Sequence, residues 1–555
     1  MSAARRLTRA LSRPFLSPVS PRGVSGDAAR SVAAGRSTAV IALGSNQGDR
    51  VEIFREALRR LAAAGLTVTR HSSLYETAPA YVTDQPAFLN AAAVVRAEDP
   101  ALASDPLALL DALKTIERDL GRVEGGLRFG PRPIDLDVIF HERGAHACER
   151  LEVPHPRFAE RGFVLAPLAD LHAGVGAPAI DHPNVAAGLD AALSLWRASG
   201  GESRVGTPEM RRVMPLGDDL VTWGDRAKLM GVLNVTPDSF SDGGALRVAE
   251  RDGLDGDLDG DLDRAPHRVD LARVVHAARR LVDAGAEFID VGGQSTRPGA
   301  TLVSAEEETA RTIPAIAALT GAFAGEPADR RPRVSVDTFY GSVAAAAVAA
   351  GADVINDVSA GTMDPGMFAA VAATPRPVPY VAMHMRGDPG SMQSERHTTY
   401  AGGDVAGVAG EELAAHVAAA TRAGVEPWRL WTDPGLGFAK THEGCWDLLE
   451  NLPGMRASMA RRGAGGAAGA PMLVGASRKG FLGAATGRER AADRDAATAA
   501  ACVAATLGGA DVLRVHDVAA VRDAVKVADA VVDAARRRRR RNGTADAHPW
   551  EERGA

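Results

Sequence analysis

Eight short apolar runs stand between residues 228 and 535, most of them separated by alanine-rich helical stretches, and this alternation restricts the fold more than any other feature. The runs lie at 228–234, 286–291, 333–336, 353–356, 378–384, 429–433, 472–475 and 511–515. Strict strand–helix alternation lays parallel strands side by side with helices outside them. Eight such units over roughly 300 residues predict a closed α/β (β/α)8 barrel of the TIM type. At or just after the end of each run stands one polar residue: Asn234, Asp290, Asp337, Asn356, His384, Asp433, Lys479 and His516. In such a barrel all eight converge on the C-terminal rim, where these folds hold their sites. Ordinary loop residues would not fall so regularly in phase.

The first half follows another pattern. Residues 38–43 read as a strand, 50–63 as an amphipathic helix, 66–75 and 88–96 as strands, 105–120 as a helix and 134–140 as a strand. That order, β-α-β-β-α-β, predicts an α+β ferredoxin-like domain over 37–171. Residues 172–227, with their Gly, Pro and Ser, read as a terminal hairpin or helix followed by a connecting segment. A chain of 555 residues exceeds a single domain of roughly 100–200 residues, which agrees with two units.

Three biased segments fall outside both patterns. Residues 1–36 carry Arg5, Arg6, Arg9, Arg13, Arg22 and Arg30 among Ser and Ala, and the first acidic residue is Asp27. That composition fits an organellar transit peptide as well as an unstructured terminus. We expect import into the mitochondrial matrix, ahead of the chloroplast or cytosol. The acidic run 252–263 suggests a calcium loop, but a loop starting at Asp255 places Pro266 where the bidentate Glu belongs. A solvated insertion is the expectation. The arginines 536–541 open what reads as a basic disordered tail, 536–555.

The net charge of −6 offers no general attraction to nucleic acid or to an anionic membrane. No apolar run reaches the roughly 18 residues that span a bilayer. Three scattered cysteines make neither a disulfide framework nor a zinc site. The expected partners are small molecules.

Asp135 and Asp137 alternate on a strand, so both carboxylates share a face. Two hard oxygen ligands suit Mg²⁺, singly or as a pair bridging nucleotide phosphates. Arg122 and Arg132 flank them and suit phosphate oxygens. The spacing alone fits an exposed strand edge equally well. Its company is more specific: ALGSNQGD (42–49), DQPAFLN (84–90), GRVEGGLRFGPRPIDLDV (121–138) and VPHPRFAERGF (153–163). Together they resemble hydroxymethyldihydropterin pyrophosphokinase. The resemblance implies that Asp135 and Asp137 hold two magnesium ions. It assigns Arg122, Arg132, His155 and Arg161 to ATP, and Thr77, Asn90 and Phe163 to the pterin. Phe129 stands where bacterial relatives commonly carry Trp, and Glu124 where a second Arg is common.

Asp337, Asn356, Asp433 and Lys479, from four strand ends, suit a planar heterocycle rich in N–H and C=O groups. Arg297, Arg514 and His516 suit a leaving pyrophosphate, and Asn234 offers an oxygen to Mg²⁺. Glycine-rich loops at 236–244 and 292–300 have the composition of closing lids. MGVLNVTPDSFSDGG (230–244), IDVGGQSTRPGA (289–300), SVDT (335–338), IND (355–357), VAMHMRG (381–387), DPGLGFAK (433–440), GASRKG (475–480) and RVHD (514–517) resemble dihydropteroate synthase. That resemblance assigns Asp337, Asn356, Asp433 and Lys479 to pterin, with Met383 and Phe438 lining its pocket. Asn234, Arg297, Arg514 and His516 then bind pyrophosphate and magnesium, and Thr296, Arg297 and Pro298 help form the p-aminobenzoate site. Gln294 replaces a Glu of many bacterial forms. The resemblance also implies a homodimer, or a larger homo-oligomer, through the barrel.

Two other readings are weighed against this one. The pterin-binding domain of corrinoid methyltransferases shares the barrel, but the Thr296–Pro298 loop, the Ser477–Lys479 run and the adjoining first half speak against it. A half retained only as a non-catalytic pterin-binding or scaffolding module would lack metal carboxylates or phosphate-binding arginines, and none is missing.

Overall fold

Two aspartates begin the helices of the first half. Asp49 accepts from the Val51 and Glu52 amides to start Arg50–Ala63, and Asp105 accepts from the Leu107 amide to start Pro106–Asp119. Phe54, Ala57, Leu61, Leu109, Leu113 and Ile116 from these helices pack on Ile41, Leu43, Ala91, Ala93 and Val95 of the sheet. The computed structural model describes residues 37–542, except 98, 100–101, 103–104, 124, 126, 128, 172–182, 218, 237–268, 328–329 and 462–468. The arginine-rich start, Glu124, the acidic insertion, most of the 236–244 loop and residues 543–555 lie outside the described residues.

The first-half strands are β1 (Ser37–Ser45), β2 (Leu66–His71), β3 (Leu74–Thr77), β4 (Phe88–Ala97) and β5 (Asp135–His141), followed by a small ribbon of β6 (His146–Ala147) and β7 (Glu152–Val153). The antiparallel order β5-β1-β4-β3, with β2 also on β4, is the ferredoxin-like arrangement. The single strand expected at 66–75 is two strands. The break falls at Ser72 and Ser73, where the Ser72 amide donates to Ala92 O and the Ser73 amide to Asp170 Oδ2.

Residues 172–227 are more than a connector. Helix Pro183–Ala198 joins Gly162–Leu171 in covering the second face of the sheet, over Val40, Val94 and Phe140. Strands β8 (Met210–Leu216) and β9 (Asp219–Thr222) then extend the sheet beyond β3, with Thr77 opposite Met210. The outer edge of β3 would otherwise present unpaired backbone groups, which proteins avoid leaving exposed.

The barrel strands are β10 (Lys228–Asn234), β11 (Phe288–Gly292), β12 (Arg333–Asp337), β13 (Val354–Asp357), β14 (Tyr380–Met383), β15 (Leu430–Asp433), β16 (Leu473–Val474) and β17 (Val512–Val515). They pair in parallel in sequence order, and β17 returns to β10. Between β15 and β16 the closure is a single bridge, Thr432 to Met472.

The two halves interlock at the bottom of the barrel. Met214 and Leu216 of β8 pack among Met230, Phe288, Val354, Val381, Trp431, Leu473 and Val512, so the hairpin plugs the N-terminal mouth. In return Trp428 enters the core of the first half, edge-on to His71 with ring centres 5.1 Å apart.

The arginine run also departs from expectation. The last helix, Val518–Asn542, continues through it, so it is not a disordered tail from 536. Arginine is a good helix former, and cations at a helix C-terminus complement its dipole. No described helix is long and apolar enough to cross a membrane.

Candidate active sites

On β5, Leu136 and Val138 turn into the core and leave Asp135 and Asp137 together on the other side of the pleat. Asp135 is ion-paired with Arg122, and its other oxygen accepts from Arg132 Nη1 at 3.0 Å. Arg122 also lies 2.9 Å from Glu117, a buried carboxylate that accepts from the Leu136 amide. Asp137 lies 4.0 Å from Arg161. Burial pushes the Asp135 carboxyl up, but Arg122 and Arg132 more than offset this and hold it below its usual range. Asp137 goes the other way, raised by burial and then by the charge of Asp135. Burial lowers His155, although Asp137 pulls against it.

Beside this pair, Asn90 Nδ2 donates to Thr77 Oγ1 at 2.9 Å, and both residues are buried. The Arg161 guanidinium lies 5.7 Å from the Phe163 ring centre. Phe129 packs on Tyr81, and Arg157 stacks over Tyr81 at 4.8 Å. Asn46, within the 42–49 motif, adds a residue to this site. It receives the Arg132 amide at 2.8 Å and donates to Gln85 and Pro86, tying three loops together. Glu117 and Arg157 carried no sequence signal beyond their types.

At the barrel rim, Arg514 joins three strands. Its Nε donates to Asp290 at 2.6 Å and its Nη2 to Asp337 at 2.7 Å, while Asn356 Nδ2 reaches Asp290 at 3.1 Å. Asp433 accepts from the Gly435 amide at 2.7 Å. That turn needs glycine: φ is +67°, and a Cβ would lie 2.0 Å from His384 O. Lys479 occupies the first-cap position of Gly480–Thr486, but its side chain makes no cap bond. Its ammonium instead donates to Leu436 O and lies 4.1 Å from the Phe438 ring centre. Met383 belongs to an apolar patch with Phe339, Val358, Met385 and Met392, against which Phe438 packs.

Burial sets the charges here. It raises Asp433 to about 6 and Asp337 to about 7, the latter against the pull of Arg514. It lowers Lys479 to about 8, with Asp433 opposing. His516 falls to about 3 through burial and then the surrounding cations Arg514, Arg478, Arg297 and Lys479. Burial disfavours charge of either sign, but the four cations around His516 suit an anion. The His516 ring meets Ser477 Oγ at 3.0 Å. β10 ends at Asn234, in register with Gly292. Thr296, Arg297 and Pro298 lie in the rim loop after β11, whose Gly299 amide donates to Pro389 O at 2.9 Å.

Sequence reasoning passed over Lys440 and Glu412. Buried Lys440 Nζ meets buried His384 Nδ1 at 2.9 Å, and His384 Nε2 meets the partly exposed Glu412 at 2.9 Å. A lysine closing a glycine-rich segment was the available signal. Among the described residues no cluster of three or more His, Cys, Asp or Glu could hold a metal.

Comparison with known proteins divides the chain the same way. Residues 40–173 match the family described as 7,8-dihydro-6-hydroxymethylpterin-pyrophosphokinase, and residues 260–516 the family described as pterin binding enzyme. The chain is 45% identical over 510 residues to the mitochondrial folate synthesis bifunctional protein of Arabidopsis thaliana, covering 91% of this chain and 84% of that one. It is also 45% identical over 502 residues to the Pisum sativum protein of the same name, covering 89% of each. The Plasmodium falciparum HPPK-DHPS structure shares the fold, with a TM-score of 0.65 at 20% identity over 89% of this chain and 95% of that one. The chain belongs to the bifunctional enzymes of folate synthesis, a hydroxymethyldihydropterin pyrophosphokinase joined to a dihydropteroate synthase.

Proposed function

We propose that the chain makes 7,8-dihydropteroate in two steps and that the residues gathered at its two sites divide the work as follows. In the first step the hydroxyl of 6-hydroxymethyl-7,8-dihydropterin attacks the β-phosphorus of ATP, the pyrophosphoryl group transfers and AMP leaves. Such transfers depend on positioning and charge neutralisation. Thr77 and Asn90 hydrogen-bond the pterin and Phe163 stacks on it. Arg122 and Arg132 exchange Asp135 for phosphate oxygens, and His155 and Arg161 hold the nucleotide. The donor set fits Mg²⁺: two adjacent hard carboxylates, one of them pushed up by burial and then by the charge of the other. Asp135 and Asp137 would hold the ions, which when bound neutralise phosphate charge.

In the second step pyrophosphate leaves the pterin methylene, and the amine of p-aminobenzoate captures the resulting carbocation with loss of a proton. Asp337, Asn356, Asp433 and Lys479 hold the pterin in fixed hydrogen bonds, and Met383 and Phe438 exclude water from its ring. Arg297, Arg514 and His516 receive the pyrophosphate, with Asn234 as the oxygen donor to its magnesium. Thr296, Arg297 and Pro298 border p-aminobenzoate. The observation that carries this division is the contrast around Arg514, with buried acids on one side and cations converging on His516 on the other.

A coupled assay with hydroxymethyldihydropterin, ATP, Mg²⁺ and p-aminobenzoate tests it. AMP and dihydropteroate should accumulate in equal amounts. AMP without dihydropteroate would leave the barrel a non-catalytic module. The mitochondrial names of two relatives and the composition of residues 1–36 support a matrix location. Deleting 1–36 should leave both activities near wild type and move the protein to the cytosol, as fractionation would show. Continued import of the truncated chain would place the address elsewhere. The barrel is the expected contact of a homodimer.

A further inference from the structure

Beneath the rim loop that carries Thr296, Arg297 and Pro298 lies a pair of side chains that the two reactions do not use. Gln294 and Glu308 are 7% and 0% exposed, and the Gln294 amide donates to the Glu308 carboxyl. The other end of the amide, Oε1, accepts from the Val303 backbone at 3.4 Å. Gln294 thus ties the base of the loop both to helix Ala305–Phe323 and to the loop's own return. One turn along the helix, Arg311 Nη1 donates to Gly293 O at 2.8 Å. The fit there leaves no slack. A Cβ on Gly293 would lie 2.7 Å from Thr312 Cγ2 and 2.9 Å from Glu308 Cγ.

We infer that Gln294 and Glu308 are positioning residues for the p-aminobenzoate loop, and that an amide at 294 keeps the loop anchored on either side of neutral pH. This rests on the reading that Thr296, Arg297 and Pro298 border p-aminobenzoate. Glu308 faces Gln294 and Asp337 from the neighbouring strand ends, Tyr340 from the next helix, and Arg311 with its partner Glu307 from its own helix. Burial raises its carboxyl to about 8, helped by Asp337 and opposed by Thr338, Gln294 and Arg311. Glu308 therefore exchanges a proton within the working range. An ionised Glu308 accepts from the amide NH2. A protonated one still offers its carbonyl oxygen to the same NH2, so the Val303 contact is kept in both forms. Glutamine can bond to both forms. A carboxyl at 294 bonds only while the pair shares a proton, because two buried carboxylates in contact repel.

The test uses the full chain and preformed pterin pyrophosphate, reading the KM for p-aminobenzoate from pH 6 to pH 9. Relative to wild type, Gln294→Glu should be nearly unaffected at pH 6 and raise that KM about tenfold by pH 9, with the pterin KM unmoved. The exchanged pair, Gln294→Glu with Glu308→Gln, restores one acid and one amide and should flatten the profile again. Taking ratios to wild type removes the titration of groups remote from Glu308, and the pterin KM in the same samples reports Asp337, which faces Glu308. Kinase activity in the same samples reports folding. Should Gln294→Glu not fold, Glu308→Gln alone carries the test: its ratio to wild type should be constant with pH. A Gln294→Glu profile parallel to wild type, an exchanged pair no flatter than the single change, or a sloping Glu308→Gln ratio would overturn the inference. Arg297→Ala separates the two readings. If it leaves the p-aminobenzoate KM unchanged, the loop assignment fails; if it raises that KM while Gln294→Glu shows no pH trend, only the positioning role fails.

Discussion

The two sites keep their acids under opposite conditions. At the kinase site the Asp135 and Asp137 side chains are 26% and 32% exposed, and arginines that can swing away hold Asp135. At the barrel rim Asp290, Asp337 and Asp433 are 0%, 11% and 5% exposed and rest on a nearly closed cylinder. The contrast follows from the chemistry. ATP brings its own charge, so the first site must rearrange its cations as the nucleotide binds. A pterin cation is created in place, so the second site needs a field already aimed at it. The first site should therefore fail when its carboxylates go, and the second when a buried partner is removed.

The largest effect is expected from Asp135→Ala with Asp137→Ala. AMP formation should fall by on the order of 10³-fold or more, while preformed pterin pyrophosphate is still converted to dihydropteroate. Normal AMP release by the double variant would remove the metal assignment and the contrast with it. Next comes Lys479→Ala, expected to slow the synthase by roughly 10²-fold and spare the kinase. A sulfonamide, which resembles p-aminobenzoate in shape and charge, should likewise inhibit only dihydropteroate formation. Full synthase activity in the variant, or AMP release blocked by the drug, would collapse the division between the sites.

Much of this was legible because the chemistry sits at the ends of periodic elements. Asp337, Asn356 and Asp433 end short apolar runs, so their convergence follows from the alternation alone. The hairpin at 210–222 was not legible as part of the first sheet, because its partner β3 lies more than a hundred residues earlier and no local pattern specifies that edge. The plug of Met214 and Leu216 was hidden for the same reason. The arginine run misled through composition: like charges favour solvation, yet here helix propensity and the dipole continue the helix to Asn542. Glu308 reads as one of three glutamates in a first helical turn, and only packing shows that it is buried.

A pH titration sharpens the comparison with a smaller effect. Asp433 offers both oxygens and a full charge to pterin N–H groups only when ionised, and burial has raised it to about 6. Pterin affinity at the second site should weaken below about pH 6, by up to about tenfold per unit. The sign for stability is opposite. A raised carboxyl favours the folded state most below its unfolded value and loses that contribution as pH rises through about 6. Bound pterin should therefore protect the barrel against heat more at pH 7.5 than at pH 5. Calorimetric titration over that range checks the first statement and thermal shift the second. Equal affinity at both ends would mean that Asp433 does not hold the ring.

The smallest effect on activity is expected at the seam between the halves, far from both sites. Arg55, 8% exposed, donates to Glu426 at 2.6 Å and to Thr374 O at 3.4 Å, while Glu426 also pairs with Arg429 at 2.6 Å. The three charges are not equivalent. Arg429 is fully buried, and burial lowers its pKa despite Glu426, so that carboxylate is what makes its charge tolerable. Arg55 has Glu52 as a second partner and lies at the margin. Arg55→Met removes one cation and leaves Glu426 paired with Arg429, so it should cost only about 1 kcal/mol, replacing a buried ion pair with packing. Glu426→Gln leaves Arg429 without a counter-charge and should cost about 3–5 kcal/mol. Denaturant unfolding of the full chain would rank them, and each purified variant should keep both activities within about twofold, as expected for changes away from the chemistry. The opposite ranking would mean that the seam depends on Arg55 itself. A lost kinase or synthase activity in a folded Arg55→Met protein would mean that the seam transmits between the sites, and the two halves could no longer be treated as chemically independent.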